Sequence, residues 1–357
     1  MRDLERARDP HRPGPGGRSS ARLAAGGALH VGPQSAGAAP GPAAYGRGED
    51  FTITDANLLL GRLPPAGLLG GAMALDAGRS RRAASNVASA FGADIERASQ
   101  AVLDVAVANM ERALRVVSVQ RGFDPREFTL VAFGGAGPLH ACALADAVEV
   151  PRVLVPMAPG VIAALGAAGS DLTAAFARSV LLPLDPSATG ALRDALAAAG
   201  REAADRLDRP GADLHWALDL RYLGQSYELT VELDGIESDE SFASAASDFH
   251  ALHEARFAHQ DASAPVEVVN VRATARAATG ATAPEPAFDS KGAAPVTVEA
   301  WFGGRPHPTQ LVDRGALRPG DLLDGPALVA QLDSTTVIAP GWTATVDEQG
   351  NLLLERR

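Results

Sequence analysis

The spacing of apolar residues changes along the chain from a helical repeat to a strand repeat. Between Asp94 and Arg121, apolar side chains recur every three or four positions, which predicts one long amphipathic helix. A second helix is predicted over the alanine-rich stretch "DPSATGALRDALAAAGREAADRLDRPGADL". From Leu214 onward, apolar and polar residues alternate in runs such as "VEVVNVRATARA", which is typical of strands that bury one face. The pattern predicts an α/β part followed by a strand-rich α+β part.

A strand, a glycine turn and a helix follow one another in "LVAFGGAGPLHACALADAVEVPRVLVP". The apolar run up to Phe133 predicts the strand, and the helix is predicted to begin on a proline, because the first helical turn tolerates a missing N–H group. Backbone N–H groups at the start of a helix favour an anion such as phosphate. The turn either binds such a group or only lets the strand and the helix pack closely. The candidate nucleotide-binding residues are Gly134, Gly135, Ala136, Gly137 and Pro138.

The same turn does not match the dinucleotide fingerprint of NAD-dependent enzymes. His140 stands where the third glycine of G-x-G-x-x-G would allow close helix-to-strand packing. An acidic residue that would bind the ribose is also missing from the end of the next strand, since the next carboxylate after it is Asp171. A nicotinamide-linked activity is therefore disfavoured.

Four polar residues outside the turn are candidates for the lining of a cleft: Asp55, Asn57, Asn109 and His140. Asp55 and Asn57 lie at a predicted helix start, where such side chains more often cap free N–H groups. Asn109 interrupts an apolar helical stripe, so it bonds either a cleft loop or a neighbouring helix. His140 either donates a hydrogen bond to an anion or is simply packed or solvent-exposed.

The segment "RYLGQSYELTV" breaks its strand alternation at Gly224 and Gln225, which predicts a bulge or a close backbone approach. Tyr222 and Gln225 are therefore candidates for an inter-domain or subunit surface. The histidines of "FHALHEARFAH" lack the H-E-x-x-H spacing of a zinc helix, so no metal site is assigned. The single cysteine, Cys142, has no visible pairing with a base and is interpreted as a buried core residue.

Composition narrows the classes of partner and location. The 357 residues are 46% hydrophobic, which suffices for two domains of ordinary size. A formal net charge of −11 leaves no basic face for nucleic acid, and no apolar stretch is long enough to cross a membrane. With one cysteine and no secretory signal pattern, a cytoplasmic location is predicted. Residues 1–20, rich in arginine and proline, are predicted to be a disordered leader.

Several ordered stretches carry a family resemblance, among them "GPQSAGAAPGPAAYGRG", "TDANLLLGRL", "FGGAGPLHACALA", "PRVLVPMAPGVIAALG" and "LDSTTVIAPGW". From about Ala21 to the last residue the chain resembles the C-terminal half of the hydantoinase/oxoprolinase family. That family includes hydantoinase A, ATP-dependent 5-oxoprolinase and the acetone carboxylase beta subunit. The resemblance implies a partial actin- or Hsp70-like ATPase lobe of ribonuclease-H type over residues 21–182, then a strand-rich C-terminal domain over residues 183–357. Residues 1–20 do not resemble the family.

The resemblance also implies a chemistry. Family members use ATP and Mg²⁺ to open a cyclic amide, and "FGGAGP" corresponds to the turn on the adenosine side of the nucleotide. Partners implied are a small cyclic amide and a hydantoinase B type subunit or domain. The substrate itself is left open between hydantoin, 5-oxoproline and a ketone for carboxylation.

The chain departs from the family in its phosphate motifs. Glycine turns of the D-x-G-G-T type, which grip phosphate and supply a carboxylate for Mg²⁺, do not occur before Gly134. The sequence therefore predicts negligible ATP hydrolysis by this chain alone, and it leads to the hypothesis of a truncated product or an incorrectly started reading frame. The alternative interpretation is a non-catalytic binding module that docks a hydantoinase B type partner.

Overall fold

The computed structural model describes residues 17–24, 26–280 and 294–357. The helices are α1 Ile53–Leu59, α2 Ala77–Phe91, α3 Ile95–Val117, α4 Gly137–Val148, α5 Ile162–Gly169, α6 Thr189–Leu207 and α7 Asp239–Phe257. The strands are β1 Ser19–Leu23, β2 Leu29–Ser35, β3 Thr129–Val131, β4 Arg152–Val155, β5 Leu172–Pro183, β6 Asp213–Tyr222, β7 Leu229–Leu233, β8 Val266–Ala277, β9 Val296–Phe302, β10 Arg305–Asp313, β11 Leu322–Asp324, β12 Ala327–Ala330, β13 Thr335–Ile338, β14 Trp342–Val346 and β15 Leu352–Arg356.

The chain divides into two compact units. Unit 1 comprises Met1–Leu165 and Pro284–Arg357, and unit 2 comprises Gly166–Ala283. The fold is of the mixed α/β class with several sheets, as the alternation of helical and strand repeats predicts.

Three helices of unit 1 form an apolar cluster of their own. The helix start at α1 is fixed by a capping box, in which Thr52 and Asp55 bond each other's backbone N–H groups. The N-cap of α3 is Asp94, and α3 ends at Val117, before a short 3-10 turn and Gly122 with a φ of 83°. The apolar stripe of α3 packs against α1 and α2, which is why this periodic segment is helical.

The main sheet of unit 1 combines strands from distant parts of the sequence. Its order is β11-β14-β15-β4-β3. Strands β3 and β4 are parallel and are connected through α4, so they form a βαβ unit. Strand β15 pairs antiparallel with β4, with Leu354 opposite Val153. Helix α4 packs on this sheet through Ala141 and Ala145.

Unit 1 contains two further sheets. The four-stranded sheet has the order β13-β12-β10-β9, and β1 and β2 form an antiparallel pair. Strands β9, β12 and β13 contribute Phe302, Leu328 and Val337 to a small apolar cluster.

Unit 2 is a single sheet covered by two helices. Its strand order is β5-β8-β6-β7, and neighbouring strands are antiparallel. Alternate residues of β6 and β8 face a core that includes Leu192 and Leu196 of α6 and Phe242 and Phe249 of α7.

The compact units do not divide the chain where the sequence analysis places a domain boundary, after residue 182. Strands β9–β15 belong to unit 1 because β15 pairs with β4. The family-domain boundaries themselves stay a prediction. Most of the expected leader lies outside the described residues, but Ser19 and Ser20 already belong to β1, and the carbonyl oxygen of Gly17 accepts a hydrogen bond from the Thr54 N–H group.

Candidate functional site

A cavity of about 660 Å³ opens in unit 1 beside the glycine turn between β3 and α4. This volume falls within the usual range of small-molecule sites, roughly 300–1,000 Å³. Its wall is built from Gly17, Arg18, Tyr45, Thr54, Asn57, Leu63, Pro64, Gly67, Leu68, Leu69, Met73, Met110, Phe133, Gly134, Gly135, Ala136, Gly137, Leu139, His140, Gln331, Leu332, Asp333, Ser334 and Thr335. The sequence-predicted turn therefore lies on the wall of a cavity.

The glycine turn presents the start of α4 to this cavity. Gly134 has a φ of 81°, in the left-handed region that favours glycine, and its N–H group donates to the carbonyl oxygen of Pro159. Helix α4 begins at Gly137 with a proline in its first turn, as predicted. Within the described ranges, no side chain caps this helix start. Pro138 has no N–H group and the Leu139 N–H group donates to the Ala136 carbonyl oxygen, so of these first three residues only Gly137 offers an N–H group to a ligand.

The loop that contains Asp333 and Ser334 contacts the glycine turn, and no motif in the sequence predicted this contact. The Asp333 carboxylate accepts hydrogen bonds from the Gly160 N–H group at 2.7 Å and from the Gln331 side-chain amide at 2.6 Å. The Ser334 hydroxyl donates to the Gly135 carbonyl oxygen at 3.4 Å. A Cβ atom on Gly160 would lie 2.6 Å from the Asp333 carbonyl oxygen, so only glycine fits there. The only signal in the sequence was the family-like stretch "LDSTTVIAPGW".

His140 and Asn57 are buried polar residues that line the cavity. His140 is 4% exposed and Asn57 is 0% exposed. The Asn57 side-chain N–H group donates to the Ile53 carbonyl oxygen at 3.0 Å, which fixes the orientation of the amide. Neither Asn57 Oδ1 nor His140 Nε2 has a hydrogen-bond partner in the described part of the chain.

Burial lowers the pKa of His140 to about 4, and the nearby Arg62 guanidinium acts in the same direction. His140 is therefore uncharged at neutral pH, and it offers a hydrogen bond but no positive charge to an anion. Arg62 is itself buried, and its guanidinium donates hydrogen bonds to the Trp301 carbonyl oxygen and the Gln100 side chain. Sequence reasoning missed Arg62, because its buried position depends on β9, far away along the chain.

The other two residues predicted to line a cleft, Asp55 and Asn109, make hydrogen bonds within unit 1 and do not line the cavity. Asp55 is 0% exposed, does not line the cavity, and accepts hydrogen bonds from the Ala44 and Thr52 N–H groups and from the Thr52 and Ser80 hydroxyls. It is the cap that its place at a helix start favours. Asn109 donates to the Val31 carbonyl oxygen at 3.2 Å and pairs with Arg112. It therefore ties α3 to β2, and it also stands outside the cavity wall.

The two surface candidates lie in unit 2 and differ from each other. Tyr222 is only 4% exposed, and its hydroxyl bonds His250 Nδ1 and the Asp261 N–H group. Tyr222 is packed within the core of unit 2, and its part in an inter-domain or subunit surface stays a prediction. Gln225 is exposed, in the turn after β6, where its N–H group donates to the Tyr222 carbonyl oxygen.

Among the described residues, no group of three or more His, Cys, Asp or Glu side chains is placed to hold a metal ion. Within the same residues, every helix is too short or too polar to cross a membrane. Cys142 is buried, its thiol donates to the Val337 carbonyl oxygen, and burial raises its pKa to about 12.

Comparison with known proteins defines the class of this chain. Residues 9–176 match the Hydantoinase/oxoprolinase family model, a match that begins inside the segment expected to lie outside the family. The alpha subunit of caprolactamase from Pseudomonas jessenii is 32% identical over 359 residues, which cover 94% of this chain and 50% of that protein. The chain contains a hydantoinase/oxoprolinase family domain.

Two solved structures are similar to this fold. The crystal structure of ATP-dependent caprolactamase from Pseudomonas jessenii has a TM-score of 0.71 and 30% identity, and covers 96% of this chain and 52% of that one. The nucleotide-free structure of acetone carboxylase has a TM-score of 0.80 at 24% identity, with coverage of 96% and 52%, and shows likeness of fold alone. The chain thus spans about half the length of these relatives.

Proposed function

We propose that this chain supplies the adenosine-side part of the nucleotide site in an ATP-dependent enzyme that opens a cyclic amide. The observation that carries the proposal is the cavity beside the glycine turn, where Gly134, Gly135, Ala136 and Gly137 at the start of α4 line a space of suitable volume. The description of a solved relative as an ATP-dependent caprolactamase supports the nucleotide and the cyclic amide. For the nucleotide-binding part we propose the fold of a partial actin-like lobe.

The residues of the cavity suit the nucleoside portion of ATP better than its phosphates. Its wall is mostly glycine and apolar residues such as Met110 and Leu139, and its charged residues are Arg18 and Asp333. The D-x-G-G-T turns that grip phosphates in the family do not occur before Gly134. Positioning of the γ phosphate would therefore come from other polypeptide, and this chain alone would not hydrolyse ATP.

The described residues do not offer a cluster of carboxylates for Mg²⁺. When bound with ATP, Mg²⁺ would neutralise charge on the phosphates. We therefore assign no residue of this chain as a magnesium ligand.

Isothermal titration of ATP and ADP into the full chain tests the proposal. A matched pair of variants isolates the cavity: Gly134→Leu and Gly122→Leu. Both glycines have a φ near +80° and open space around a new Cβ, but only Gly134 lines the cavity. We expect both changes to lower the free energy of unfolding by about 1–2 kcal/mol, while only Gly134→Leu weakens nucleotide binding.

The proposal is wrong if the folded wild-type chain binds neither nucleotide at millimolar concentration. Rapid phosphate release from ATP by the purified chain would contradict the second part of the proposal, that it does not hydrolyse ATP alone.

A second candidate function is that of a binding module for a hydantoinase B type partner in the cytoplasm. It is favoured by the name of the caprolactamase relative, which is a subunit of a larger enzyme. Size-exclusion chromatography of the full chain mixed with such a polypeptide tests it. Co-elution is the expected result, and separate elution of two folded proteins at micromolar concentration would contradict it.

A further inference from the structure

Three large apolar side chains line the cavity beside the glycine turn and are nevertheless exposed. Leu69 is 53% exposed, Phe133 is 55% exposed and Leu332 is 68% exposed. Exposed apolar residues that are scattered singly need no explanation, but these three come from separate segments of unit 1 and line one concave space. Because each keeps more than half of its surface accessible, a ligand in the cavity can contact them directly.

The three segments adjoin one another. A Cβ atom added to Gly70, the neighbour of Leu69, would lie 3.5 Å from Leu332 Cδ1, which is ordinary van der Waals contact. Close to Leu332 in sequence, the Ser334 hydroxyl donates a hydrogen bond to the carbonyl oxygen of Gly135, in the glycine turn. The segment that contains Leu332 therefore adjoins both the segment of Leu69 and the glycine turn.

The backbone of Leu69 has a conformation that leucine rarely adopts. Its φ is 53°, in the left-handed region, where the Cβ atom of an L-residue comes too close to the following carbonyl oxygen. Gly70 and Gly71, which follow it, also have positive φ values, and the Leu68 N–H group donates to the Met73 carbonyl oxygen across this loop. Strained residues persist only where the surrounding structure holds them, and they cluster at ligand clamps. The conformation of Leu69 thus points to a role in ligand binding.

The same wall carries two charged residues, Arg18 and Asp333. The Asp333 carboxylate accepts hydrogen bonds from the Gly160 N–H group and the Gln331 side-chain amide, and Arg18 is exposed. A cavity lined in this way suits a ligand that combines a flat apolar surface with polar or charged groups. A nucleotide is such a ligand, because it joins a planar base to a sugar and to phosphates.

We propose that Leu69, Phe133 and Leu332 form an apolar clamp on the flat face of the base of a bound nucleotide. The inference rests on the proposed function, and it names the side chains that position the base. Covering exposed apolar side chains with the base removes apolar surface from water, and the ring of Phe133 offers an aromatic contact as well. The clamp therefore contributes to binding of the base and not of the phosphates.

Isothermal titration of ATP, adenosine and inorganic tripolyphosphate into the full chain tests the clamp. We expect Leu332→Ser to weaken binding of ATP and of adenosine about tenfold, and to leave the affinity for tripolyphosphate unchanged. The matched control is Leu322→Ser, because Leu322 is comparably exposed in unit 1 but does not line the cavity. This control should bind all three ligands as the wild-type chain does.

A second matched pair tests the aromatic member of the clamp. Phe133→Ala should weaken adenosine binding at least about tenfold, and Phe133→Leu should restore part of the affinity, because it keeps an apolar side chain. The control is Phe128→Ala, since Phe128 has similar exposure and precedes the same strand, β3, but does not line the cavity. The affinity of this control for adenosine should not change.

Substitution of Leu69 separates ligand binding from folding. Asparagine adopts the left-handed conformation more readily than leucine, so the Tm of Leu69→Asn should not fall below that of the wild-type chain. Its affinity for adenosine should nevertheless fall, because an apolar member of the clamp is lost. A loss of affinity at an undiminished Tm is not the result of unfolding.

Three results would overturn the clamp. The first is wild-type affinity for adenosine in both Leu332→Ser and Phe133→Ala. The second is an equal loss of affinity in the two control variants, Leu322→Ser and Phe128→Ala. The third is a larger loss for tripolyphosphate than for adenosine, which would mean that these side chains act on the phosphates.

Indole, an uncharged planar compound without sugar or phosphate, separates this inference from the proposed function. If ATP binds the wild-type chain and the clamp variants equally well, the nucleotide site stands and the clamp is wrong. If neither ATP nor adenosine binds but indole does, with a loss in Leu332→Ser and none in Leu322→Ser, the apolar clamp stands and the nucleotide assignment is wrong. If the folded wild-type chain binds none of these compounds at millimolar concentration, both are wrong.

Discussion

Unit 1 and unit 2 each bury a histidine, and the two histidines differ in their hydrogen bonds. His253 of unit 2 is 7% exposed, and its Nδ1 atom bonds the His259 carbonyl oxygen at 2.6 Å. Because a carbonyl oxygen only accepts, Nδ1 carries the hydrogen. His140 of unit 1 is equally buried, yet its Nε2 atom has no partner among the described residues.

The same contrast extends to the neighbouring polar groups. In unit 2, the Asp219 carboxylate is buried and accepts hydrogen bonds from Thr230, Asn270 and Arg272, and Tyr222 has two partners. In unit 1, Asn57 Oδ1 likewise has no partner in the part of the chain that the structure describes. Paired polar groups stabilise a fold, whereas unpaired buried ones cost stability.

The largest loss of stability is expected when a hydrogen-bonded, buried carboxylate is removed from unit 1. This substitution tests whether the hydrogen bonds of a buried group, rather than the unit in which it lies, decide its contribution to stability. Asp55→Ala leaves the Ala44 and Thr52 N–H groups and the Ser80 hydroxyl without their buried acceptor. We expect the free energy of unfolding to fall by about 3 kcal/mol, measured by guanidinium chloride denaturation. The control is Asp50→Ala, which removes an exposed carboxylate bonded to Ser20 and should cost less than about 1 kcal/mol. Equal losses would show that Asp55 is not a structural cap.

The next effect is the dependence of stability on pH through His140. Its pKa is about 4 in the folded chain and 6.5 in the unfolded chain, so between these values the unfolded chain binds more protons. Stability should therefore decrease as the pH falls from 6.5 to 4, by on the order of 2–3 kcal/mol. Denaturation curves at several pH values measure this, and His140→Phe should flatten the dependence by that amount. An unchanged slope in the variant would contradict a buried neutral His140.

Substitution of the two buried histidines by phenylalanine should change the free energy of unfolding in opposite directions. His253→Phe removes the hydrogen bond to the His259 carbonyl oxygen, so we expect it to destabilise unit 2 by about 1 kcal/mol, whereas His140→Phe stabilises the unliganded chain. Hydrogen exchange of peptides from α7, measured by mass spectrometry, reports the change in unit 2. The control is His215→Phe on β6, where the side chain is exposed and little change is expected. A stabilising His253→Phe would remove the distinction between the units.

The smallest change is expected for the reaction of the Cys142 thiol with a thiol reagent in the native chain. Its thiol is buried, burial raises its pKa to about 12, and it donates to the Val337 carbonyl oxygen. It should not react with Ellman's reagent at pH 8 in the native chain, and should react fully in denaturant. A cysteine placed at the exposed neighbouring position, Ala143→Cys, should react at once. Rapid native labelling of Cys142 itself would show that the core under α4 opens.

Local patterns in the sequence predicted the elements of the site well. The glycine turn, the helix that begins beside Pro138 and the strand after it all depend on residues that are close in sequence. The capping role of Asp55 could be inferred for the same reason, since a capping box spans only four positions. Asp333 and Arg62 could not be found in this way, because their roles depend on Gly160 and Trp301, which are distant along the chain.

The sequence by itself determined the family, the mixed α/β class, and the glycine turn with its helix, because these depend on local spacing and on ordered family stretches. The tertiary structure alone decided that Tyr222 is buried, that β15 pairs with β4, and that Asn57 and His140 line one cavity. The physical reason is that burial and hydrogen-bond pairing are properties of the packed chain, which brings together residues that no local pattern connects.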